Sequence, residues 1–542
     1  MNHPASDFAS QTQLIAALRD PGRYPHPARA VRVIETHISW VLLAGRYAYK
    51  IKKALNLGFL DCSRLQDRRF YCAEEIRLNR RLAPQLYLDV MPICGSPQQP
   101  LLATGSAPIE YAVRMRRFCS GRQLDLLLVR DQVQPRHIDS LAALLARFHA
   151  DLPAATPDAP YGSAAAIRVA ALQNFAQLPA LLKNDQAADR LAALQAATEA
   201  ELSACAAFFE QRHAQGYVRE CHGDLHLANI ALIGEQAVPF DGIDFNPALR
   251  WIDVISDTAF TFMDLLHYRR PQLAYRFLNA YLEATGDYAA ISALRFYSAY
   301  RATVRAKVSA IRAAQGGLRP AEKHAALAAC RQYLELAASS LQRRRPALII
   351  THGLPGSGKT TFAQAALERL QAIRIRSDVE RKRLFGLAAL DHSRDHPAVG
   401  NSIYSADASR RTFERLRDIA RDILAAGYTV IVDAAFLRQH ERDLFRALAT
   451  EMALPFAIAS TEAAPQVLQS RIAQRMVQAG DASEADLAVL AMLQKVQEEL
   501  TPQEQAYTTH FISQADHAGF AADAPGWDRL TQLLTPPQSD HS

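Results

Sequence analysis

No uninterrupted apolar segment in this 542-residue chain approaches the ~18 residues of a membrane-spanning helix. The first residues, Met1-Asn-His-Pro-Ala-Ser-Asp7, also lack the basic-then-apolar pattern of a secretory signal. Both absences lead to the expectation of a cytoplasmic protein with no membrane partner. Cysteine is scarce: Cys62, Cys72, Cys94, Cys119, Cys205, Cys221 and Cys330 are odd in number, scattered and without a C-x-x-C pair. That spacing implies neither a disulfide framework nor a zinc site, and most of them read as small buried side chains. A dominant charge is missing too. With 61 Lys+Arg against 55 Asp+Glu the net charge is +6, and the arginines are spread over helices rather than gathered in a tract, so nucleic acid is permitted but not indicated. No repeat stands out, and nothing in these features specifies the oligomeric state.

What is present is a chain too long for one ordinary core, with 49% hydrophobic residues, which implies two or three domains. The apolar run Leu348-Ile349-Ile350 leads into Gly353-Leu-Pro355-Gly356-Ser357-Gly358-Lys359-Thr360-Thr361 and then a helix-like stretch. This is the P-loop pattern in the required strand-to-helix context. In such a loop the glycines let backbone N–H groups face the phosphates, Lys359 is expected to reach the terminal phosphates of ATP, and Thr360 can ligand Mg2+.

A second constellation lies upstream in His222-Gly223-Asp224-Leu225-His226-Leu227-Ala228-Asn229, followed by Ile243-Asp244-Phe245 at an expected strand end. Asp224 and Asn229 have the D-x-x-x-x-N spacing of a kinase catalytic loop, in which the aspartate accepts a hydroxyl proton and the asparagine holds a metal ion. Asp244 is then the second metal ligand. Lys50 and Lys52 share one face of a period-2 strand, so either can hold the α- and β-phosphates, and Glu75 on a following helix can pair with that lysine. His222 and His226 are not read as metal ligands, because magnesium prefers oxygen and no zinc-type partners accompany them. His149, ending an apolar helix, reads as a packed or capping side chain.

The His-Gly-Asp triplet, and the missing glycine after Asp244-Phe245, resemble the aminoglycoside phosphotransferases. That resemblance implies a bilobal protein-kinase-like fold. No G-x-G-x-x-G loop precedes the lysines, Gly45 standing alone, and Asp257 matches a structural aspartate of the family. Tyr111 to Phe118 is expected to connect the lobes.

Beyond the P-loop, Ile373-Arg-Ile-Arg376 is a short strand delivering Ser377-Asp378-Val-Glu-Arg381 at the edge where α/β folds place ligands. The Ser-Asp-x-x-Arg pattern resembles polynucleotide-kinase-like and zeta-toxin-like P-loop kinases. It implies Asp378 as general base and Arg381 as a charge-stabilising or substrate-binding group, with an N-cap aspartate and a surface arginine as the plain alternative. Tyr428 to Asp433 is a strand ending in a carboxylate, the Walker-B pattern, so Asp433 joins the metal shell. Arg471 and Arg475, four apart on a helix, face the same way. In the resembling kinases such a pair closes over ATP as a lid; a solvated helix face is the other reading.

The expected architecture is therefore a two-domain chain of α/β and α+β class. Residues 1–345 form the aminoglycoside phosphotransferase-like kinase domain, with a small lobe about 25–118 and a helical lobe about 119–345. Residues 346–534 form the parallel α/β P-loop domain, and 535–542 a disordered tail. Nearly the whole chain resembles bacterial fusions of these two domains. Three functions compete: an ATP- and magnesium-dependent kinase acting on a small-molecule hydroxyl, a nucleotide-switched regulator with a non-catalytic kinase-like domain, and a polynucleotide 5'-hydroxyl kinase. A polycationic drug needs an acidic acceptor pocket, whereas the expected acceptor-facing residues Asp264, His267, Arg269 and Arg270 mix both signs.

Overall fold

A computed structural model describes residues 4–56, 60–102, 107–182, 185–393, 396, 403, 405–478, 482–513, 520 and 523–535. Of the expected tail 535–542, Thr535 instead caps the last described helix, its N–H donating to the Thr531 carbonyl at 3.1 Å, and 536 onward lies outside these residues. Two compact units divide the chain: Met1–Tyr268 with Tyr300–Leu334, and Arg269–Ala299 with Glu335–Ser542. No helix among the described residues is long and apolar enough to cross a membrane.

In the first unit, β1 (Val31–Glu35), β2 (Ser39–Ala44), β3 (Tyr47–Lys52), β4 (Tyr87–Gly95), β5 (Pro100–Leu101) and β6 (Glu110–Arg116) form one sheet. Its order is β1-β2-β3-β6-β4-β5. Strand alternation decides its chemistry. Tyr49 and Ile51 enter a core with Trp40, Leu42 and Ala44, completed by Leu14 and Ile15 of the N-terminal helix Pro4–Ala17 and by Leu18 just after it. The small lobe thus begins well before the expected residue 25. Lys50 and Lys52 consequently share the other face of β3, toward the helix Leu65–Asn79 that carries Glu75. The expected lobe connection at Tyr111–Phe118 is instead mostly β6, held on both sides by antiparallel pairing with β3 and β4. A segment with the apolar run Tyr111-Ala112-Val113 and a partner strand on each side satisfies its backbone groups as a central strand.

The larger lobe of this unit is helical, with two small antiparallel pairs beside the catalytic loop. These are β7 (Val218–Glu220) with β10 (Trp251–Asp253), and β8 (Ile230–Ile233) with β9 (Gln236–Pro239). Asp244 lies in irregular chain after β9 rather than at a strand end. Asp253 caps the buried helix Val254–His267 by accepting the N–H of Ile255 at 3.0 Å, and is itself gripped by Arg212 at 2.5 and 2.8 Å.

The second unit is built on five parallel strands in the order β12-β13-β11-β14-β15. They are β11 (Leu348–His352), β12 (Ile373–Arg376), β13 (Val430–Asp433), β14 (Phe456–Glu462) and β15 (Thr508–Ile512). β11 and β13 are buried along their whole length, as expected of parallel strands covered by helices on both faces. The segment Arg269–Ala299, placed by sequence within the helical lobe, clusters with this unit. Asn279, on the helix Pro271–Thr285, accepts the N–H of Arg374 at 2.6 Å and donates to the carbonyl of Ala372 at 3.0 Å, covering the free edge of β12.

Candidate active sites

The first site is a network of charges on β3 and its neighbours. Lys52 Nζ donates to Glu75 Oε2 at 2.8 Å and to Asp244 Oδ2. Lys50 Nζ donates to Glu75 Oε1 at 2.9 Å and to Asp241 Oδ1 at 2.5 Å. One glutamate therefore divides its two oxygens between two lysines, each of which also holds its own aspartate. Burial would raise the Glu75 carboxyl, but Lys50 and Lys52 outweigh it and hold it at about 2. For Asp244 burial wins, and its carboxyl lies above the ordinary value despite Lys52.

Asp241 was missed by sequence reasoning. It has φ +62°, unusual for a side chain other than glycine, and its N–H donates to the Tyr87 hydroxyl at 3.0 Å. Asn79 fixes the next residue by accepting the N–H of Gly242 at 2.8 Å.

The catalytic loop is held by carboxylates beneath it. Asp257 accepts the N–H groups of His222 at 3.0 Å and Gly223 at 2.9 Å, and lies 3.3 Å from His149 Nε2. Asp264 accepts the N–H of Leu227 at 2.9 Å and the Tyr333 hydroxyl at 2.8 Å. It is only 2% exposed, which removes it from the acceptor-facing surface where sequence placed it. Its position on the buried helix Val254–His267 turns it under the loop. Gly223 has φ +84°, and a Cβ there would sit 2.6 Å from the Leu249 carbonyl, so no other residue fits.

Asn229 Nδ2 donates to the Asp224 carbonyl and to Asp224 Oδ2, both at 3.0 Å. This uses the amide nitrogen and leaves the amide oxygen, the atom through which an asparagine can ligand a cation. Burial opposes ionisation of Asp224, yet His226 at 3.4 Å, together with Arg305 and His222, holds its carboxyl well below the ordinary range. Arg305, distant in sequence, gave no motif by which to find it. The loop, both lysines, Glu75 and Asp244 all belong to the first unit.

The second site opens at the carboxyl ends of β11, β12 and β13. Gly353 has φ +139°, and a Cβ there would meet the Thr461 carbonyl at 2.4 Å; Gly356 has φ +83°. The helix Lys359–Leu370 starts directly after Gly358, so its free N–H groups face the loop. Lys359 Nζ donates to the Leu354 carbonyl at 2.9 Å, while Ser357 Oγ lies 2.7 Å from Thr461 Oγ1.

A cleft of about 1400 Å³ adjoins this loop and is lined by Pro355, Lys359, Thr360, Thr361, Asp378, Arg381, Asp433 and Arg471, among others. Asp378 is in the first turn of the helix Ser377–Leu384 that follows β12. Arg381 donates to Ser409 Oγ at 3.3 Å, and Arg471 to the Gly356 carbonyl at 3.1 Å and Ser513 Oγ at 2.9 Å. Arg475 is on the same helix as Arg471, but its side chain lies outside the described residues.

Asp433 tests whether a divalent cation fits. Burial raises its carboxyl, Arg376, Arg374 and Lys359 pull the other way, and Thr360 hydrogen-bonds to it. Its Oδ2 is buried with no hydrogen-bond partner. A buried carboxylate oxygen left open beside a P-loop threonine suits an oxygen-seeking cation.

Comparison with known proteins defines the class. Residues 66–297 match the Phosphotransferase enzyme family and residues 348–500 match an AAA domain. The chain thus joins a kinase-like phosphotransferase fold to a P-loop kinase-like domain. It belongs to the same family as the uncharacterized proteins Mb2027c of Mycobacterium bovis and Rv2004c of Mycobacterium tuberculosis. Each is 30% identical over 464 residues, covering 85% of this chain and 89% of the relative. Among solved structures, the amicoumacin kinase hAmiN in complex with AMP-PNP, Ca2+ and Ami is 15% identical, over 62% of this chain and 95% of that one, with a TM-score of 0.39. Kti12 of Chaetomium thermophilum in complex with ADP-AlF3 is 18% identical, over 35% of this chain and all of that one, with a TM-score of 0.26.

Proposed function

We propose that the chain is an ATP- and magnesium-dependent phosphotransferase with two nucleotide sites, each passing the γ-phosphoryl group to a hydroxyl acceptor, and that it works in the cytoplasm. One observation carries this reading. Each unit sets a phosphate-type lysine beside a buried carboxylate of metal-binding type: Lys52 on Asp244, and Lys359 acting on Asp433.

In the first unit Lys52, oriented by Glu75, is the lysine for the α- and β-phosphates, and Lys50 is its neighbour on the same face. Asp224 is ionised at neutral pH and takes the acceptor hydroxyl proton as that oxygen bonds to the γ-phosphorus and the bond to the bridging oxygen breaks, releasing ADP. In the second unit Asp378 takes the corresponding proton, Lys359 holds the terminal phosphates, and Arg471 and Arg381 offset charge developing on the transferred group. Magnesium, held by Asn229 and Asp244 in one site and by Thr360 and Asp433 in the other, would supply charge neutralisation between phosphate oxygens. The cleft of the second unit mixes Arg410, Arg417 and Arg438 with Phe413, Leu444 and Met492, which suits a small hydroxyl compound with both polar and apolar parts.

A regulatory reading draws support from the lysines of the first unit, which are both committed to carboxylates. Mass spectrometry of a bacterial metabolite extract incubated with the protein, ATP and magnesium separates the two readings when run beside Asp224→Asn and Lys359→Ala. New phosphorylated species lost in one variant or the other identify acceptor and active unit. ATP consumption without a phosphorylated product, abolished only by Lys359→Ala, would overturn the transferase reading in favour of a switch.

A further inference from the structure

Within the second unit, the edge strand β12 places two arginines, Arg374 and Arg376, on one face by period-2 alternation. Both grip a single carboxylate that comes from far upstream. Arg374 donates to Glu283 Oε2 at 2.8 Å and Arg376 to Glu283 Oε1 at 3.0 Å. Glu283 stands on the helix Pro271–Thr285, inside the stretch that matches the Phosphotransferase enzyme family, yet it is part of the compact unit that holds the P-loop. Arg383 donates to the backbone carbonyl of the same residue at 2.6 Å, so the glutamate is fixed at both backbone and side chain.

The register of the sheet sets Arg376 directly across from Asp433. Its Nε is 3.8 Å from Asp433 Oδ2, too far for a hydrogen bond, and that oxygen is the buried one without a partner. A guanidinium has ample donors to close bidentately on a carboxylate at this separation. The carboxylate to which its Nη1 donates is that of Glu283.

The geometry points to Glu283 as a positioning residue for the P-loop site: by holding Arg376, it keeps the guanidinium from closing on Asp433 and leaves Oδ2 open to a divalent cation. This rests on the proposed nucleotide and metal role of the P-loop unit. Its consequence is that a residue outside the AAA match sets the metal affinity of the AAA site. Groups that orient a metal ligand without touching the metal commonly change affinity by roughly 10- to 100-fold when replaced.

The test measures Mn2+ affinity by electron paramagnetic resonance on the full chain, with a non-hydrolysable ATP analogue present and Asp244→Asn as the background that weakens the other site. Glu283→Gln keeps the shape and a weak hydrogen bond but loses the charge, and should weaken Mn2+ binding roughly tenfold. Adding Arg376→Gln to Glu283→Gln should restore it, because the competing cation is then gone, whereas a merely structural role for Glu283 would give no restoration. If Glu283→Gln fails to fold, Arg376→Gln alone decides, with binding at least as tight as the background chain expected. Unchanged affinity in Glu283→Gln, or weaker affinity in Arg376→Gln, overturns the inference while leaving the P-loop site standing. Mn2+ binding that Lys359→Ala and Asp433→Asn both leave intact would overturn the underlying nucleotide-site reading, and the inference with it.

Discussion

The two sites, proposed to take the same ligand, are built in opposite ways. On the kinase-like side the cations are already spent: Lys50 and Lys52 are each bound to two carboxylates, and Glu75 serves both. On the P-loop side the cradle is backbone, the adjoining cleft is wide, and a carboxylate oxygen is left without a hydrogen-bond partner. A site made of side-chain charges must neutralise itself when empty, because an unpaired buried charge is costly. A site made of N–H groups at a helix start carries only partial charges and can stay open. The kinase-like site should therefore depend most on individual side chains, and the P-loop site most on glycine geometry and metal.

The sharpest break in that contrast comes from the proton acceptor. Asp224→Asn should lower transfer by the first unit by roughly 10²- to 10⁴-fold, the usual contribution of a positioned base, while ATP binding persists. Because His226 and Arg305 keep Asp224 ionised far into acid, the rate should not fall with this group's protonation through the ordinary carboxylate range. A rate that halves near pH 4 to 5 on account of Asp224 would contradict this.

Next in size is Lys359→Ala, expected to cost the second unit about 10²- to 10³-fold in turnover, comparable to loss of one preorganised charge donor. Activity of the first unit should be untouched.

Glu75→Gln acts on stability as well as activity. Removing one partner of a buried pair ordinarily costs ~3–5 kcal/mol. Here each lysine keeps an aspartate, so the loss should be smaller, about 2 kcal/mol, read from the denaturant midpoint of the first unit. Its pH dependence has a definite sign. The folded carboxyl is depressed to about 2, so this stabilisation is full above the ordinary value and disappears as pH falls from about 4.5 toward 2.

The smallest effect belongs to His352, on β11 beneath the P-loop, which lies 3.0 Å from Ser460 Oγ. Burial, with Arg442 and Lys359 adding to it, lowers its ring to about 4. Between pH 6.5 and 4 the unfolded chain takes up a proton that the folded one refuses, so stability falls as pH falls through that window. His352→Phe should flatten this part of the melting-temperature profile of the second unit by a few degrees, and an unaltered slope would assign the effect elsewhere.

Much of the chemistry was legible in sequence because it is contiguous there. Asp224 and Asn229 are bonded to each other five residues apart, and the P-loop is a single run. A pairing of Glu75 with either Lys50 or Lys52 was also readable from strand alternation and helix position, but the choice between them was not, and the structure gives Glu75 both. What escaped is what folding brings from a distance. Asp241 meets Lys50 across 191 residues, and Glu283 meets Arg376 across 93. No local pattern encodes either, and an aspartate three residues before Asp244 looks like turn chemistry until its partner is seen. The same holds for Tyr111 to Arg116, which becomes a central strand because β3 and β4 are there to receive it.

The central claim, two nucleotide sites in one chain, is tested most directly by isothermal titration with a non-hydrolysable ATP analogue and magnesium. Two nucleotides should bind per chain, falling to one in Lys359→Ala, to one in Lys52→Ala, and to none in the double variant. A single site in the unaltered chain, lost with Lys359 and indifferent to Lys52, would contradict it.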